Sequence, residues 1–292
     1  MKNTLTFTIV ANITSNYGES LGNVSTIQKI QKNGRKYACR SMESMKNAIM
    51  NEAHFYDDLK TVSDNKVATK YVGEDWTLVQ SKALEGGYML ASKKGTKIRT
   101  SSFLLTNAIS VNPFDADYQF HTNLGLAQKA AKEKGLYLQE NAAECGLMPF
   151  NYEFSKDLKI YSITTYLDKI GVDENYNINL SNEEKCNRVF MLLDAIQNLK
   201  LLVRGSLDNA EPMFIVGGFT NTYRHEFENC VKVKNNEIVL FDDFIEKVEK
   251  GCHAGIFGAT FDNEDEVKEK LNATSINKFF ETIKGEVKDY FK

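Results

Sequence analysis

Two stretches far apart in the chain alternate apolar and polar residues with the period of a strand, and they constrain the fold more than any other feature. In the first, Leu5, Phe7, Ile9, Ala11 and Ile13 alternate with Thr6, Thr8, Val10 and Asn12. In the second, Ile160, Ser162, Thr164 and Tyr166 alternate with Tyr161, Ile163, Thr165 and Leu167. Each predicts a strand with a buried face. A helix from about Ser41 to Leu59, burying Met42, Met45, Ile49 and Phe55, is expected after the first. The clearest helical pattern is SNEEKCNRVFMLLDAIQNLKLLVR, with Ser181 or Asn182 as cap, Glu183 and Glu184 in the first turn, and Val189, Leu192, Leu193, Ile196, Leu199 and Val203 as the buried stripe. LEGGYMLAS adds a short strand, and PMFIVGGF a further one that ends in paired glycines. The order strand, helix, strand, excursion, strand, helix, strand predicts an α+β, ferredoxin-like (RRM-like) fold.

The excursions are read as insertions into one domain spanning 1–292. Only 3 prolines occur in 292 residues and no Ser/Gly/Pro-rich tract is present, which argues against a flexible linker. Residues 60–111 form one insertion with a basic loop, residues 112–158 a second, and residues 219–292 an acidic extension. From Phe241 to Lys292 there are 12 acids and 8 bases, a net of 8 − 12 = −4, against −3 for the whole chain. The N-terminal MKNTLTFTIVANIT has no unbroken apolar run or cleavage site, and no window reaches the ~20 apolar residues of a membrane span. A cytoplasmic protein with no membrane partner is expected. Cys39, Cys145, Cys186, Cys230 and Cys252 are scattered, with no CxxC pair, which suits reduced thiols.

Charge is concentrated early. Lys29, Lys32, Arg35, Lys36, Arg40 and Lys46 lie within eighteen residues that hold one acid, Glu43. Ser41 is placed to cap the following helix, with Ser44 in its first turn. Free amides, hydroxyls and the flanking Arg40 and Lys46 would then converge on one spot, which is how a phosphate is held. A second basic cluster, Lys93, Lys94, Lys97 and Arg99, follows LEGGYMLAS without an acid. The bland alternative for both is a solvated face or hairpin tip. The usual RNP aromatics are absent from the strands, so any RNA contact is assigned to loops rather than to the sheet.

Between Asn112 and Asp157 the pattern is irregular but rich in Phe114, Tyr118, Phe120, Phe150, Tyr152 and Phe154. It is too apolar for disorder, so an ordered projecting element, such as a β-hairpin, is expected. Its aromatics could stack on or wedge between bases, or pack the element's own small core.

Taken together, LTFTIVANIT, SLGNVSTIQKIQKNGRKYACRSMESMKNAI, GTKIRTSSFLLTNAISV, IYSITTYLDKIG and RVFMLLDAIQNL resemble, in order and spacing, the DevR-type backbone subunit of the type I-B CRISPR surveillance complex, within the repeat-associated mysterious protein superfamily. The resemblance spans roughly Met1 to Gly218. It implies a multicopy protein with a ferredoxin-like palm and a thumb hairpin that polymerises head-to-tail along a guide RNA (crRNA). Its partners would be that RNA, target DNA through guide pairing, copies of itself and other Cascade subunits, with no cofactor. Asn23 and Lys29 match the family's first loop, Ser41, Ser44 and Lys46 its helix start, and Arg99 and Ser101 its Arg-x-Ser segment. With the basic clusters, the implied RNA-binding set is Asn23, Lys29, Lys32, Arg35, Arg40, Ser41, Ser44, Lys46, Lys97, Arg99 and Ser101. The thumb would offer Phe114, Phe120, His121, Phe150 and Phe154 as base wedges. Glu43 and Met50 depart from the family's pattern and are not expected at phosphate.

Catalytic motifs are missing: the chain has no GxxxxGK[ST], GxGxxG or GxSxG, and His225-Glu226 lacks the second histidine of a zincin. No catalysis is expected. The rivals are a metal-dependent endoribonuclease of the same superfamily, using Asp57 and Asp58 or Asp115 and Asp117, and a free-standing regulatory or protein-binding module.

Overall fold

A computed structural model of the chain describes residues 2–21, 24–64, 67–92 and 95–292. Its principal elements run β1 (Thr4–Thr14), β2 (Lys29–Lys32), β3 (Arg35–Arg40), α1 (Met42–Glu52), β4 (Phe103–Leu105), β5 (Ala108–Ser110), α2 (Leu124–Lys134), β6 (Lys156–Tyr166), α3 (Asn182–Gln197), β7 (Phe214–Thr220), α4 (Asp242–Glu249), β8 (His253–Ile256), α5 (Glu264–Leu271), β9 (Thr274–Ser275) and α6 (Ile276–Tyr290). The mixed α+β class is as expected. The strands form one nine-stranded sheet in the order β9-β8-β7-β1-β6-β5-β3-β2, with β4 also pairing β6. The two stretches singled out by their alternation lie side by side: β1 is antiparallel to β6 along its whole length, from Thr4 opposite Tyr166 to Thr14 opposite Lys156. The other edge of β1 takes β7, also antiparallel.

Alternation along β1 sorts its residues onto two different surfaces. Leu5, Phe7, Ile9, Ala11 and Ile13 share a core with Met45 and Ile49 of α1, Leu192, Leu193 and Ile196 of α3, and Phe279, Phe280, Ile283 and Val287 of α6. Phe7 meets Phe279 edge-on with ring centroids 5.7 Å apart. On the opposite surface Thr6 and Thr8 stand directly across from Thr164 and Ser162. Their hydroxyls are hydrogen-bonded at 2.8 Å and 2.7 Å, so these buried polar groups are satisfied across the strands. The chain after β7 lies over them: Thr164 Oγ1 is 2.8 Å from His225 Nδ1, and Glu226 N–H donates to Thr6 Oγ1 at 3.4 Å. Val10, Phe214 and Val216 continue this layer into a second core with Phe227, Phe244, Val248 and Val267. The acidic C-terminal residues are therefore folded onto the sheet, covering one face with α4 and α5 and the other with α6. No helix among the described residues is long and apolar enough to cross a membrane.

The paired glycines of β7 have a steric reason. A Cβ on Gly217 would lie 1.9 Å from the Thr6 carbonyl oxygen, and the residue's φ of 155° also disfavours a side chain. Only glycine lets β7 approach β1 there.

Two helix ends differ from expectation. The first helix stops at Glu52 rather than near Leu59, because His54 takes a left-handed φ of 55° and the Phe55 N–H donates back to the Met50 carbonyl at 2.9 Å. Phe55 is buried just beyond the helix. The third helix ends at Gln197, and residues Lys200–Val203 form a hairpin with Ser206–Asn209. Its two-residue turn, Arg204-Gly205, has φ of 49° and 83°, so Val203 belongs to a strand and not to the helical stripe.

The part of the expected 60–111 insertion that precedes β4 and β5, themselves strands of the main sheet, is tied down by one carboxylate. Glu85, on the 3-10 turn Lys82–Gly86, has no exposed surface. It is 2.8 Å from the Arg99 guanidinium and 2.9 Å from that of Arg188 on α3, and it accepts the Gly171 N–H at 2.9 Å. Removing one partner of a buried ion pair strands the others, at a cost of about 3–5 kcal/mol. Glu85→Ala is expected to lower unfolding stability by about that amount, read from urea denaturation. A loss below about 1 kcal/mol would contradict this role.

Candidate nucleic-acid interface

The strands β2 and β3 form a hairpin around Asn33 and Gly34, whose φ of 50° and 74° match a two-residue turn. Lys32, Arg35 and Lys36 are exposed around this turn, and none of them is in an ion pair among the described residues. At the hairpin's root the arrangement reverses. Lys29 donates to Glu153 in a largely buried ion pair and sits 4.8 Å from the centroid of the Phe114 ring. The Phe114 N–H donates to the Lys36 carbonyl at 2.7 Å. Burial pushes the Glu153 carboxyl up, but hydrogen bonds from Lys29 and the Ile27 N–H outweigh it and hold the group below the usual carboxylate range. Lys29 is thus a joint between the hairpin and the 112–158 excursion.

The helix start does not form the convergent phosphate nest that the sequence suggested. Ser41 does cap α1, its hydroxyl accepting the Ser44 N–H at 3.2 Å. The neighbouring amides are already occupied: Ser41 N–H donates to Asn16 Oδ1 at 2.9 Å and Met42 N–H to Asn107 Oδ1 at 2.8 Å. Arg40 and Lys46 are not brought together either. Arg40 is buried and donates to the Thr14 carbonyl at 3.2 Å; burial lowers its pKa, with Asp208 acting in the opposite sense. Lys46 donates to the Gly86 carbonyl at 2.9 Å and to Ser101 Oγ at 2.8 Å, beside the Phe103 ring.

In the second basic cluster, Tyr88–Ser92 pairs with Gly95–Arg99. Lys93, Lys94 and the earlier Asn23 lie outside the described residues. Lys97 reaches Glu74 at 3.6 Å and stands 3.8 Å over the Tyr176 ring. Arg99, expected at phosphate, is instead an internal anchor. Besides Glu85 it donates to the carbonyls of Leu84 at 2.7 Å, Val172 at 2.9 Å and Lys169 at 3.0 Å, and it is almost fully buried. Ser101 is buried as well, donating to the Phe103 carbonyl at 2.5 Å while accepting from Lys46. The residue that sequence reasoning missed is Lys70, which donates to the Ala83 carbonyl at 2.7 Å and the Gly87 carbonyl at 3.1 Å, next to the carbonyl that Lys46 uses. Nothing in the polar, turn-rich run from Thr61 to Ser81 marked it.

The excursion is an ordered hairpin, Tyr118–Thr122 against Pro149–Glu153, with α2 between its strands. Val24–Ile27 and Tyr17–Leu21 extend it to a four-stranded sheet. Of the five wedge candidates, Phe120 is the exposed one at 66%. His121 is packed between Phe150 (centroids 5.6 Å) and Tyr152 (4.3 Å), and Arg204 lies 4.0 Å over the Tyr152 ring. Phe114 and Phe154 are half-buried. Tyr118, one of the excursion's aromatics though not of those five, is exposed on the same strand face as Phe120.

Two carboxylates of the nuclease rival have basic neighbours. Asp57 pairs with His54 at 3.2 Å and Asp58 with Lys82 at 3.6 Å, and no group of three or more His, Cys, Asp or Glu is placed to hold a metal among the described residues.

A family model described as "CRISPR-associated negative auto-regulator DevR/Csa2" matches residues 5–249. No curated protein matches the sequence. Among solved structures, a chain of a "CRISPR RNA-guided surveillance complex, pre-nicking" is similar with a TM-score of 0.56 and 10% identity, covering 96% of this chain and 100% of that one. A chain of another "CRISPR RNA-guided surveillance complex" gives a TM-score of 0.53 and 13% identity, covering 96% and 99%. At such identities the likeness is one of fold.

Three of the lysines described are held well below their ordinary range, to about 8: Lys46 by burial, Lys70 by burial with repulsion from Lys46 and Arg99, and Lys159 by burial against the opposing pull of Asp157, Asp208 and Cys39. In the unfolded chain they keep their protons to about pH 10.4. From about pH 8 the unfolded state therefore binds more protons at these lysines, and they contribute stability that rises with pH. Burial acts in the opposite sense at the thiols of Cys39, Cys186 and Cys252 and at Tyr161, all held above their ordinary range, so the gain is largest between about pH 8 and 9. The urea midpoint is expected to increase from about pH 8 to about pH 9, and a decrease would contradict the assignment.

Proposed function

We propose, from the premise that this chain belongs to the CRISPR-associated DevR/Csa2 family, that it is a guide-RNA-binding backbone subunit of a type I-B surveillance complex. The observation that carries this reading is the exposed set Lys32, Arg35 and Lys36, in no ion pair among the described residues and presented on a hairpin that the Lys29–Glu153 pair fastens to the aromatic excursion. The central strand order β7-β1-β6 flanked by β4 and β5, with α1 and α3 on one face, supports naming the palm ferredoxin-like. The second sheet acts as its thumb.

In this reading Lys32, Arg35 and Lys36 contact phosphates, assisted by Lys97 and by Asn23. Lys29, Arg40, Ser41, Ser44, Arg99 and Ser101 hold the frame that positions them. Phe120 and Tyr118 of the thumb order the bases. Copies pack head-to-tail along the crRNA beside other Cascade subunits in the cytoplasm, and sequence specificity resides in pairing of the guide with target DNA. The chain performs no catalysis.

Simultaneous Lys32→Glu, Arg35→Glu and Lys36→Glu tests it by fluorescence anisotropy with single-stranded RNA across a salt series. Each phosphate contact on a single strand contributes about 0.7 to the slope of log affinity against log salt, so the triple variant is expected to lose about 2 from that slope and bind at least tenfold more weakly. An unchanged slope would remove the hairpin from the interface. A wild-type chain that stays a discrete monomer and ignores RNA would favour the regulatory rival.

A further inference from the structure

The chain contains one Asn-Gly step, Asn33-Gly34, and it forms the tip of the β2–β3 hairpin. Both residues are exposed, with left-handed φ of 50° and 74°, and the space around Gly34 is open: a Cβ there would meet nothing within 4 Å. A second hairpin supplies the contrast. Asn235 and Asn236, between Val233–Lys234 and Glu237–Ile238, take nearly the same φ, 50° and 60°, and are exposed as well. There the Asn236 amide is held, donating to the Thr260 carbonyl at 3.2 Å and to Asp262 Oδ1 at 2.9 Å, and its neighbours Glu237 and Asp262 are acidic. The Asn33 tip instead has Lys32, Arg35 and Lys36 around it, in no ion pair among the described residues. β2 is also an end strand of the main sheet, so the tip can open without disturbing the core.

An asparagine followed by glycine is open to attack on its own side chain, because glycine puts no Cβ beside the attacking nitrogen. The Gly34 amide nitrogen gives up its proton to solvent and bonds to Asn33 Cγ. The Cγ–Nδ2 bond breaks, and the departing group takes a proton from solvent and leaves as ammonia. Water then opens the resulting succinimide at either carbonyl, leaving Asp or isoAsp at position 33, with nothing oxidised or reduced. The three cations favour the amide anion through which the step runs, and the acids of the second hairpin oppose it there. We propose that Asn33 is a site of spontaneous deamidation whose conversion weakens the basic hairpin's hold on RNA. The new carboxylate puts a negative charge among three positive ones, and isoAsp adds a methylene to the backbone of a two-residue turn whose geometry sets the hairpin's register. The loss of grip rests on the RNA-binding reading above; the conversion itself does not. RNA lying on the hairpin shields the tip, so conversion falls on chains that carry no guide.

The test ages the full chain in neutral and in mildly alkaline buffer, with and without single-stranded RNA, and follows the peptides bearing Asn33 and Asn235-Asn236 by mass spectrometry. Asn33 is expected to convert many times faster than either residue of the second hairpin, faster again in the alkaline buffer, and several-fold more slowly with RNA bound. Freshly made Asn33→Asp is expected to bind RNA several-fold more weakly and to lose about 0.7 from the salt slope. Asn33→Gly keeps a turn that accepts positive φ, cannot convert, and is expected to hold wild-type affinity through ageing. An Asn33 that stays intact, or converts no faster than Asn235 and Asn236, overturns the proposal and leaves the RNA reading standing. Conversion at Asn33 while Asn33→Asp keeps wild-type affinity and slope overturns the effect on RNA. If the triple Lys32, Arg35 and Lys36 variant is unchanged as well, the hairpin reading falls with it.

Discussion

Strand β1 is hydrogen-bonded along both edges and buried on both surfaces, and that constraint determines where a ligand can be held. Its apolar residues draw α1, α3 and α6 to one side. Its threonines can be buried on the other side only because Ser162 and Thr164 stand opposite and because the chain after β7 closes over them. Among the described residues, a central sheet covered in this way leaves little open surface around β1, and the proposed interface accordingly lies at the rims, on the β2–β3 hairpin and the second sheet.

Cations are partitioned by their partners rather than by their position in the sequence. The two arginines at the insertion's base, Arg99 and Arg188, are buried around Glu85, where a planar guanidinium can satisfy a carboxylate and several carbonyls at once. The exposed charges Lys32, Arg35 and Lys36 have no such partners among the described residues. Lys29 stands between these classes, since its ion pair with Glu153 fixes the angle between the hairpin and the second sheet. Lys46 and Lys70 form a third class, partly desolvated and held by neutral carbonyl and hydroxyl acceptors.

Local rules made much of the fold legible in the sequence. The alternation in β1 and β6, the Ser41 and Ser181 caps and the apolar stripe of α3 from Val189 to Ile196 all depend on residues within a few positions of one another, and the structure shows each of them. What was hidden depends on distant pairs. Arg99 reads as a free cation until Glu85 and the 166–172 turn are placed beside it, and Lys29 reads likewise until Glu153, 124 residues away, is paired with it. Lys70 carried no local signal because the Ala83 and Gly87 carbonyls that hold it lie 13 and 17 residues away. The end of α1 was obscured for a smaller reason: His54 in the left-handed region is uncommon, and helical periodicity continues through it to Phe55.

Hydrogen exchange of the full chain, with and without single-stranded RNA, tests the central claim most directly, because it reports where the strand lies without altering a charge. The account predicts new protection in residues 29–40, with β1, β6, β7 and α4 to α6 unchanged. Protection confined to the C-terminal cover, or none in the hairpin while RNA is bound, would contradict it.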